Sequence, residues 1–260
     1  MKHRFWIILV LCALMTVCLF GCSNTSQEEK TYDDAFLSDF VKGLCSRWDY
    51  SSQNENNANI SEAELYAGLV DKELNVLEKY TGKKFADSLL QERAISYINL
   101  LKQQKESLSY YSVDYNKYSE LWQVAYNERT QAISAFIKDY GLTFPDKYKD
   151  TVEELLTNAK VVDEDEAFNE ACQKMVDGIN FEIEESSYGY NTYSAIVENT
   201  TEKTISSFWI DINLLDADGV IIETQYASAE NIAPGQKARL EFMTDKDFAS
   251  YELNPEYYCE

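Results

Sequence analysis

The sequence predicts α and β structure in separate domains, an N-terminal antiparallel helical bundle followed by a small β-sandwich. Three observations lead there. From Asp33 to about Ile179 apolar residues recur every three or four positions, the spacing of a helix face turned to a core. After Gly178 the period drops to two, the spacing of a strand with one buried face. The connections between the helical stretches are short, which favours antiparallel neighbours.

An export segment precedes the helices. A basic head, Lys2-His3-Arg4, is followed by a mostly apolar run from Phe5 to Phe20 and then by Leu19-Phe20-Gly21-Cys22. A basic head stays on the cytoplasmic side while the apolar run enters the membrane. The run is shorter than the ~20 residues a spanning helix needs. Gly21 is the small residue a peptidase accommodates beside its cut, and Cys22 supplies a sulfur able to form a thioether to diacylglycerol. These residues read as a bacterial lipobox. Residues 1–21 form the signal peptide, Cys22 is the lipidation site, and 22–31 are a lipidated tether. An uncut anchor and an ordinary signal peptide cut elsewhere are the alternatives. Acyl chains contribute ~0.8 kcal/mol per buried methylene, so two of them anchor stably. About ten extended residues reach roughly 35 Å, which keeps the folded part near the membrane. The expected address is the outer face of the cell membrane of a bacterium of the Gram-positive kind.

The helical domain is expected over 32–180, with six helices. Asp33 or Asp34 caps the first, whose stripe is Phe36, Phe40, Leu44 and Trp48 with Leu37, Val41 and Cys45 beside it. Asp49 to Asn59, polar and Asn-rich, reads as a mobile loop. Ser61 with Glu64 makes a capping box for the second helix, and Gly82 lies just beyond its end. The third runs from Lys84 to about Tyr111, and the fourth from about Tyr115 to Tyr140, closed by Gly141. Pro145 begins a fifth with Tyr148, Val152, Leu155, Leu156 and Ala159. The acidic cluster Asp163-Glu164-Asp165-Glu166 opens a sixth, where it would complement the helix dipole.

The β domain is expected over 181–260. Alternation marks Phe181 to Glu184, Tyr193 to Asn199, Phe208 to Leu215, Val220 to Tyr226 and Ala238 to Phe242. Turn signals separate them at Asn199-Thr200-Thr201, Asp216-Ala217-Asp218-Gly219 and Pro234-Gly235. Short strands at such spacing indicate a sandwich. Asp216 to Gly219 starts like a calcium loop, but the twelfth position is Ala227 rather than Glu, so a plain turn is the expectation.

Charge and chemistry narrow the function. The chain has 23 basic and 45 acidic residues, and loss of Lys2 and Arg4 leaves 21 and 45, a net of −24. Residues 182–260 hold 16 acids and 4 bases, a net of −12. Such a surface repels nucleic acid and anionic head groups. The single histidine, His3, leaves with the signal peptide, which removes Ser-His-Asp, Cys-His and His-ligated metal chemistry from the mature chain. The sequence has no Cys-x-x-Cys, Gly-x-Gly, Walker or Gly-x-Ser-x-Gly pattern. Carboxylate-pair hydrolysis needs none of these and stays open as a histidine-free glycan hydrolase. Of the cysteines in the folded part, Cys45 and Cys172 fall on apolar faces and are expected as buried thiols, with a disulfide between them as the alternative. Cys259 is expected to be exposed.

Residues from about Tyr193 to Thr244 resemble the FxLYD-type domain of bacterial lipoproteins. The resemblance lies in Ala195-Ile196-Val197-Glu198-Asn199, in Ile210 to Asp216, in Asp218-Gly219 and in Ile232-Ala233-Pro234-Gly235. The signature Phe-x-Leu-Tyr-Asp stands here as Ile212-Asn213-Leu214-Leu215-Asp216, with both aromatics replaced by aliphatics. The resemblance implies an immunoglobulin-like sandwich acting as an extracytoplasmic interaction module, and it transfers no catalytic residues. One aromatic run is the candidate binding site. Tyr118, Trp122 and Tyr126 share a helical face and suggest either core packing or a groove for glycan or peptide. The expected function is non-enzymatic binding or scaffolding, with no cofactor beyond the lipid on Cys22. Its partner would be a cell-envelope protein or a cell-wall polymer. A solute- or cation-binding lipoprotein serving a transporter or sensor is the alternative.

Overall fold

A computed structural model describes residues 30–259. It is helical in the N-terminal part and antiparallel β in the C-terminal part. The helices are α1 (Asp33–Asn54), α2 (Glu62–Leu77), α3 (Ser88–Ser107), α4 (Tyr115–Tyr140) and α5 (Lys149–Asp177). The strands are β1 (Glu182–Ser187), β2 (Tyr190–Glu198), β3 (Ile205–Leu215), β4 (Ile221–Ile232), β5 (Lys237–Thr244) and β6 (Ser250–Cys259). The chain divides into two compact units. The first runs to Arg129 and takes in Leu142–Phe144; the second is Thr130–Gly141 with everything from Pro145 onward.

In the first unit, the contacts run in opposite order along α1 and α2. Asp39 accepts from Lys79 Nζ at 2.5 Å and from Tyr80 Oη at 2.8 Å. Further along, Lys72 Nζ lies 4.9 Å from the Tyr50 ring centroid. The two helices are therefore antiparallel. Gly43 allows the close approach, since a Cβ there would stand 3.4 Å from Glu73 Cα. The pairs Glu78–Lys102 and Asp71–Lys105 give the same antiparallel order for α2 and α3. Phe36, Phe40, Leu44, Leu77, Tyr80, Phe85 and Tyr97 are buried. The rings of Phe40 and Tyr97 meet edge to face at 4.8 Å.

Several local expectations hold. Ser61 and Glu64 form the capping box, and Gly141 takes the left-handed conformation (φ 61°) just past α4. Others are corrected. Neither Asp33 nor Asp34 caps α1: the N-cap is Tyr32, without a side-chain bond. The Asp33 carboxylate instead accepts from the backbone N–H groups of Ala86 and Asp87, at 2.9 Å each. Asp87 itself caps α3 by accepting from Leu89 and Leu90. The loop expected from Asp49 starts later, because α1 runs to Asn54. The amide side chain of Asn54 donates to the Tyr50 carbonyl, and that of Asn57 donates to Asn54 Oδ1, so the Asn-rich run makes its own local bonds.

The expected fifth and sixth helices are one helix, α5. The acidic cluster Asp163–Glu166 sits in its middle, away from the amino-terminal turn and its dipole. No Gly or Pro interrupts α5, and Gln131 Nε2 donates to Asp163 Oδ1 at 2.9 Å and to Glu166 Oε2 at 2.8 Å. The cluster is therefore compatible with a helix interior.

In the second unit the strands form two antiparallel sheets, ordered β1-β2-β5 and β4-β3-β6. Strand β6 extends the expected set. Its inward residues Tyr251, Leu253, Tyr257 and Cys259 alternate, with Pro255 in the run, and Pro is at home on an edge strand. One apolar cluster gathers Ala195 and Val197 of β2, Phe208, Ile210, Ile212 and Leu214 of β3, and Leu240 and Phe242 of β5. It also takes in Phe168, Cys172, Met175 and Val176 from the last turns of α5. Secondary structure changes near residue 180, but the core runs across that point.

The turns follow their chemistry. Asp216 Oδ1 accepts from the N–H groups of Asp218 and Val220, both at 2.9 Å, and Gly219 takes φ 78°. That oxygen is engaged by backbone in a strand-connecting turn. Asn199 is fully buried. Its amide donates to the carbonyls of Lys203 and Ile232, and its Oδ1 accepts from the Thr201 N–H and hydroxyl. Cys172 is buried and Cys45 half-buried. The sequence expectation of an exposed Cys259 is corrected: it is half-buried against the core. Among the described residues no disulfide joins Cys45, Cys172 and Cys259.

Candidate binding surface

The aromatic run of the first unit packs as a chain of rings. Tyr118 lies 4.8 Å from Tyr111 and 5.9 Å from Trp122, and Trp122 lies 5.0 Å from Tyr66 of α2. The hydroxyls of Tyr66 and Tyr111 both donate to the Glu62 carboxylate, at 2.6 and 2.5 Å. Tyr118 is only 4% exposed. Burial first, and then its tyrosine neighbours, push its hydroxyl up to about 12. Trp122 and Tyr126 are half-buried. Tyr118 and Trp122 are thus brought together, and Tyr118 is enclosed as packing rather than offered to solvent.

Sequence reasoning missed a buried charge cluster in the same unit. Glu73 is fully buried on the core face of α2, at a spacing shared with Val70, Leu74 and Leu77. Its Oε1 pairs with Arg47 Nη1 at 2.9 Å and with Arg129 Nη2 at 2.5 Å, and Tyr97 donates its hydroxyl to Oε2. Burial alone would raise the Glu73 pKa. The guanidiniums of Arg129 and Arg47 and the hydrogen bonds from Tyr97 and Arg129 outweigh burial and hold it below the usual value. A charged residue at an apolar-face position was the visible signal. The cluster joins four helices, α1 to α4, and is closed to solvent, which suits a structural role.

The second unit presents a different surface. In β3, Phe208, Ile210, Ile212 and Leu214 point into the core, so Trp209, Asp211 and Asn213 point outward. The register then places Ser228 of β4 and Glu256 of β6 beside Trp209, and Tyr226 of β4 and Asn254 of β6 beside Asp211. Thr224 Oγ1 donates to Asn213 Oδ1 at 2.8 Å, which ties β4 to β3 on that face. Trp209 is 57% exposed and Tyr226 76%. With Asp211, Ala227 and Ser228 they line a cleft of about 320 Å³. Tyr258, opposite Ser207, adds a third exposed ring.

The positions paired outward on these three strands include no Lys or Arg. The face thus offers aromatic rings with carboxylate, amide and hydroxyl groups. It suits a ligand that stacks apolar C–H faces and donates hydrogen bonds, and it disfavours an anion. The sequence signal was the one tryptophan on the polar side of an alternating strand.

Among the described residues no three His, Cys, Asp or Glu side chains gather as metal ligands, and no helix is long and apolar enough to cross a membrane. The apolar run Phe5–Phe20 and the lipidation position Cys22 lie outside the described residues. No protein-family model matches this chain, and no curated protein does. Among solved structures, a crystal structure of Campylobacter jejuni cj0090 is similar at 19% identity. It covers 32% of this chain and 85% of that chain with a TM-score of 0.21. A likeness at that level carries no argument.

Proposed function

We propose that this protein is a lipid-anchored lipoprotein at the outer face of the cell membrane, with a non-enzymatic binding role. Its binding surface is the outer face of sheet β4-β3-β6, and its ligand is the neutral glycan strand of a cell-wall polymer. The observation that carries the reading is Trp209, a half-exposed tryptophan on a central strand, with Tyr226 and Asp211 around one cleft. Large aromatics on a sheet face in water find their use in stacking. Carboxylate and amide acceptors beside them match the donors of a polyhydroxylated ring, and the absence of cations on the paired positions selects against anionic wall polymers. The lipobox at Cys22 and the FxLYD-like stretches support the address and the finer fold, an immunoglobulin-like sandwich. The loss of His3 on export supports binding rather than histidine-based catalysis.

The test uses the full chain in detergent, mixed with insoluble cell-wall glycan and sedimented. Wild type should be retained. Trp209→Ala and Tyr226→Ala should each lose about fivefold or more in affinity at a nearly unchanged melting temperature, since stacking contributes about 1 kcal/mol or more per ring. Equal retention of the variants would overturn the site. Release of sugar reducing ends during incubation would overturn the non-enzymatic reading.

A further inference from the structure

We propose that a second cleft, between α5 and the turn joining β2 to β3, is a binding site for an organic ammonium ion with an apolar body, the class of the alkyl diamines. The cleft holds about 420 Å³, within the roughly 300–1,000 Å³ of small-ligand sites. One wall is a single face of α5, where Glu164, Ala167, Phe168 and Ala171 fall at helical spacing. The two alanines leave room that larger side chains would fill. The other wall is the turn with Glu202 and Lys203. Asn199 holds that turn from inside: its amide donates to the Lys203 carbonyl and its Oδ1 accepts from the Thr201 N–H, each at 2.9 Å. The wall is thus formed before any ligand arrives.

The charge of the cleft selects its occupant. Of the acidic run in the middle of α5, Asp163 and Glu166 are engaged by Gln131. Glu164 lines the cleft, and Asp165 pairs with Lys203. Glu164 also pairs with Lys160 at 3.4 Å, but both side chains are more than half exposed and water screens such a pair. With Glu202 the carboxylates outnumber Lys203, so an anion is repelled. A neutral apolar molecule would cover carboxylates without compensating their charge. A metal ion needs a shell of oxygen ligands, and among the described residues no three His, Cys, Asp or Glu side chains gather to give one. The floor is an aromatic ring instead: Phe168 is buried and braced edge-on by Tyr257 at 5.9 Å. A carboxylate beside an aromatic ring is the recognition chemistry of an ammonium ion.

Lys203 marks the seat. Its Nζ lies 5.6 Å from the Phe168 ring centroid and 3.5 Å from Asp165 Oδ1. The cleft therefore already holds one ammonium, on the chain's own tether, between a ring and a carboxylate. A diamine places one ammonium there in competition with Lys203 and lays its methylenes along Ala167 and Ala171. Its second ammonium meets Glu164 or Glu202. No residue of this cleft belongs to the Trp209 cleft.

The test is calorimetric titration of the full chain, in non-ionic detergent at low ionic strength, with cadaverine, a five-carbon diamine. Pentanediol and glutarate are the neutral and anionic probes of matched length. Cadaverine should bind and the other two should not. Lys203→Ala vacates the seat and should tighten cadaverine binding about fivefold or more. The double variant Ala167→Leu, Ala171→Leu fills the cleft, leaves every carboxylate in place and should abolish binding, with the melting temperature reporting that it folds. Absence of binding to both wild type and Lys203→Ala would overturn the proposal. Weaker binding to Lys203→Ala would overturn the seat. Undiminished binding to the folded double variant would mean diffuse attraction to an acidic surface, and equal binding of pentanediol would mean an apolar cleft only. Each of those results would also overturn it. Trp209→Ala should leave cadaverine binding unchanged, so this proposal and the glycan reading fail separately.

Discussion

Replacing Glu73 with Gln keeps the shape of the side chain and removes one buried charge. Glu73 is the shared counter-ion of Arg47 and Arg129, at 2.9 and 2.5 Å, and both guanidiniums are nearly as buried as the carboxylate. Arginine does not escape by losing its proton. Glu73→Gln therefore leaves two positive charges side by side in the core with no counter-charge from this residue. Breaking a buried pair costs about 3–5 kcal/mol. Whole domains are stable by only about 5–15 kcal/mol. With a urea dependence of about 2 kcal/mol per molar, the unfolding midpoint should fall by roughly 2 M.

The assay is urea unfolding of the full chain followed by helical ellipticity. A loss under about 1 kcal/mol would refute the reasoning. Replacing all three charges with apolar residues of similar size (Glu73→Leu, Arg47→Met, Arg129→Met) should recover most of the loss, because the desolvation cost vanishes with the charges. The pH dependence follows from the direction of the shift. The folded Glu73 pKa lies below its ordinary 4.5. Its contribution is therefore fully present above about 4.5 and is lost as pH falls through the depressed folded value. Wild type and Glu73→Gln should differ by a constant amount near neutrality, and the gap should close in acid.

Adjacent residues of β3 should behave oppositely. Phe208→Ala removes a fully buried ring and should cost about 3–5 kcal/mol in chemical denaturation, whereas Trp209→Ala should cost under about 1 kcal/mol. Equal losses would mean that Trp209 packs rather than binds. Asn199→Ala strips the donor from the carbonyls of Lys203 and Ile232 and should cost about 2 kcal/mol or more, read as a lowered melting temperature. Cys22→Ala should abolish metabolic labelling by a palmitate analogue, and unchanged labelling would sink the lipid anchor.

The parts legible in the sequence were those set by short-range periodicity. The spacing of Phe36, Phe40 and Leu44 determines a helix face, and the alternation of Phe208, Ile210 and Ile212 against Trp209 and Asp211 determines a strand with one wet side. The capping box at Ser61 and the turns at Gly219 and Gly235 need only local hydrogen bonds and positive φ, so a few residues suffice to write them. Asp163–Glu166 shows the limit of local rules. Acids favour a helix start, yet the flanking apolar residues Ala159 and Phe168 and the absence of a breaker carry α5 straight through.

What only the tertiary structure decided depends on residues far apart in the chain. Glu73 is a core residue because Arg47 and Arg129 arrive from two other helices to compensate its charge. Trp209 and Tyr226 line one cleft because of the β3–β4 register. Cys172 and Cys259 come under one core because a helix and an edge strand share it. Period is a property of neighbours in sequence, whereas charge compensation, register and core membership depend on which surfaces exclude water together.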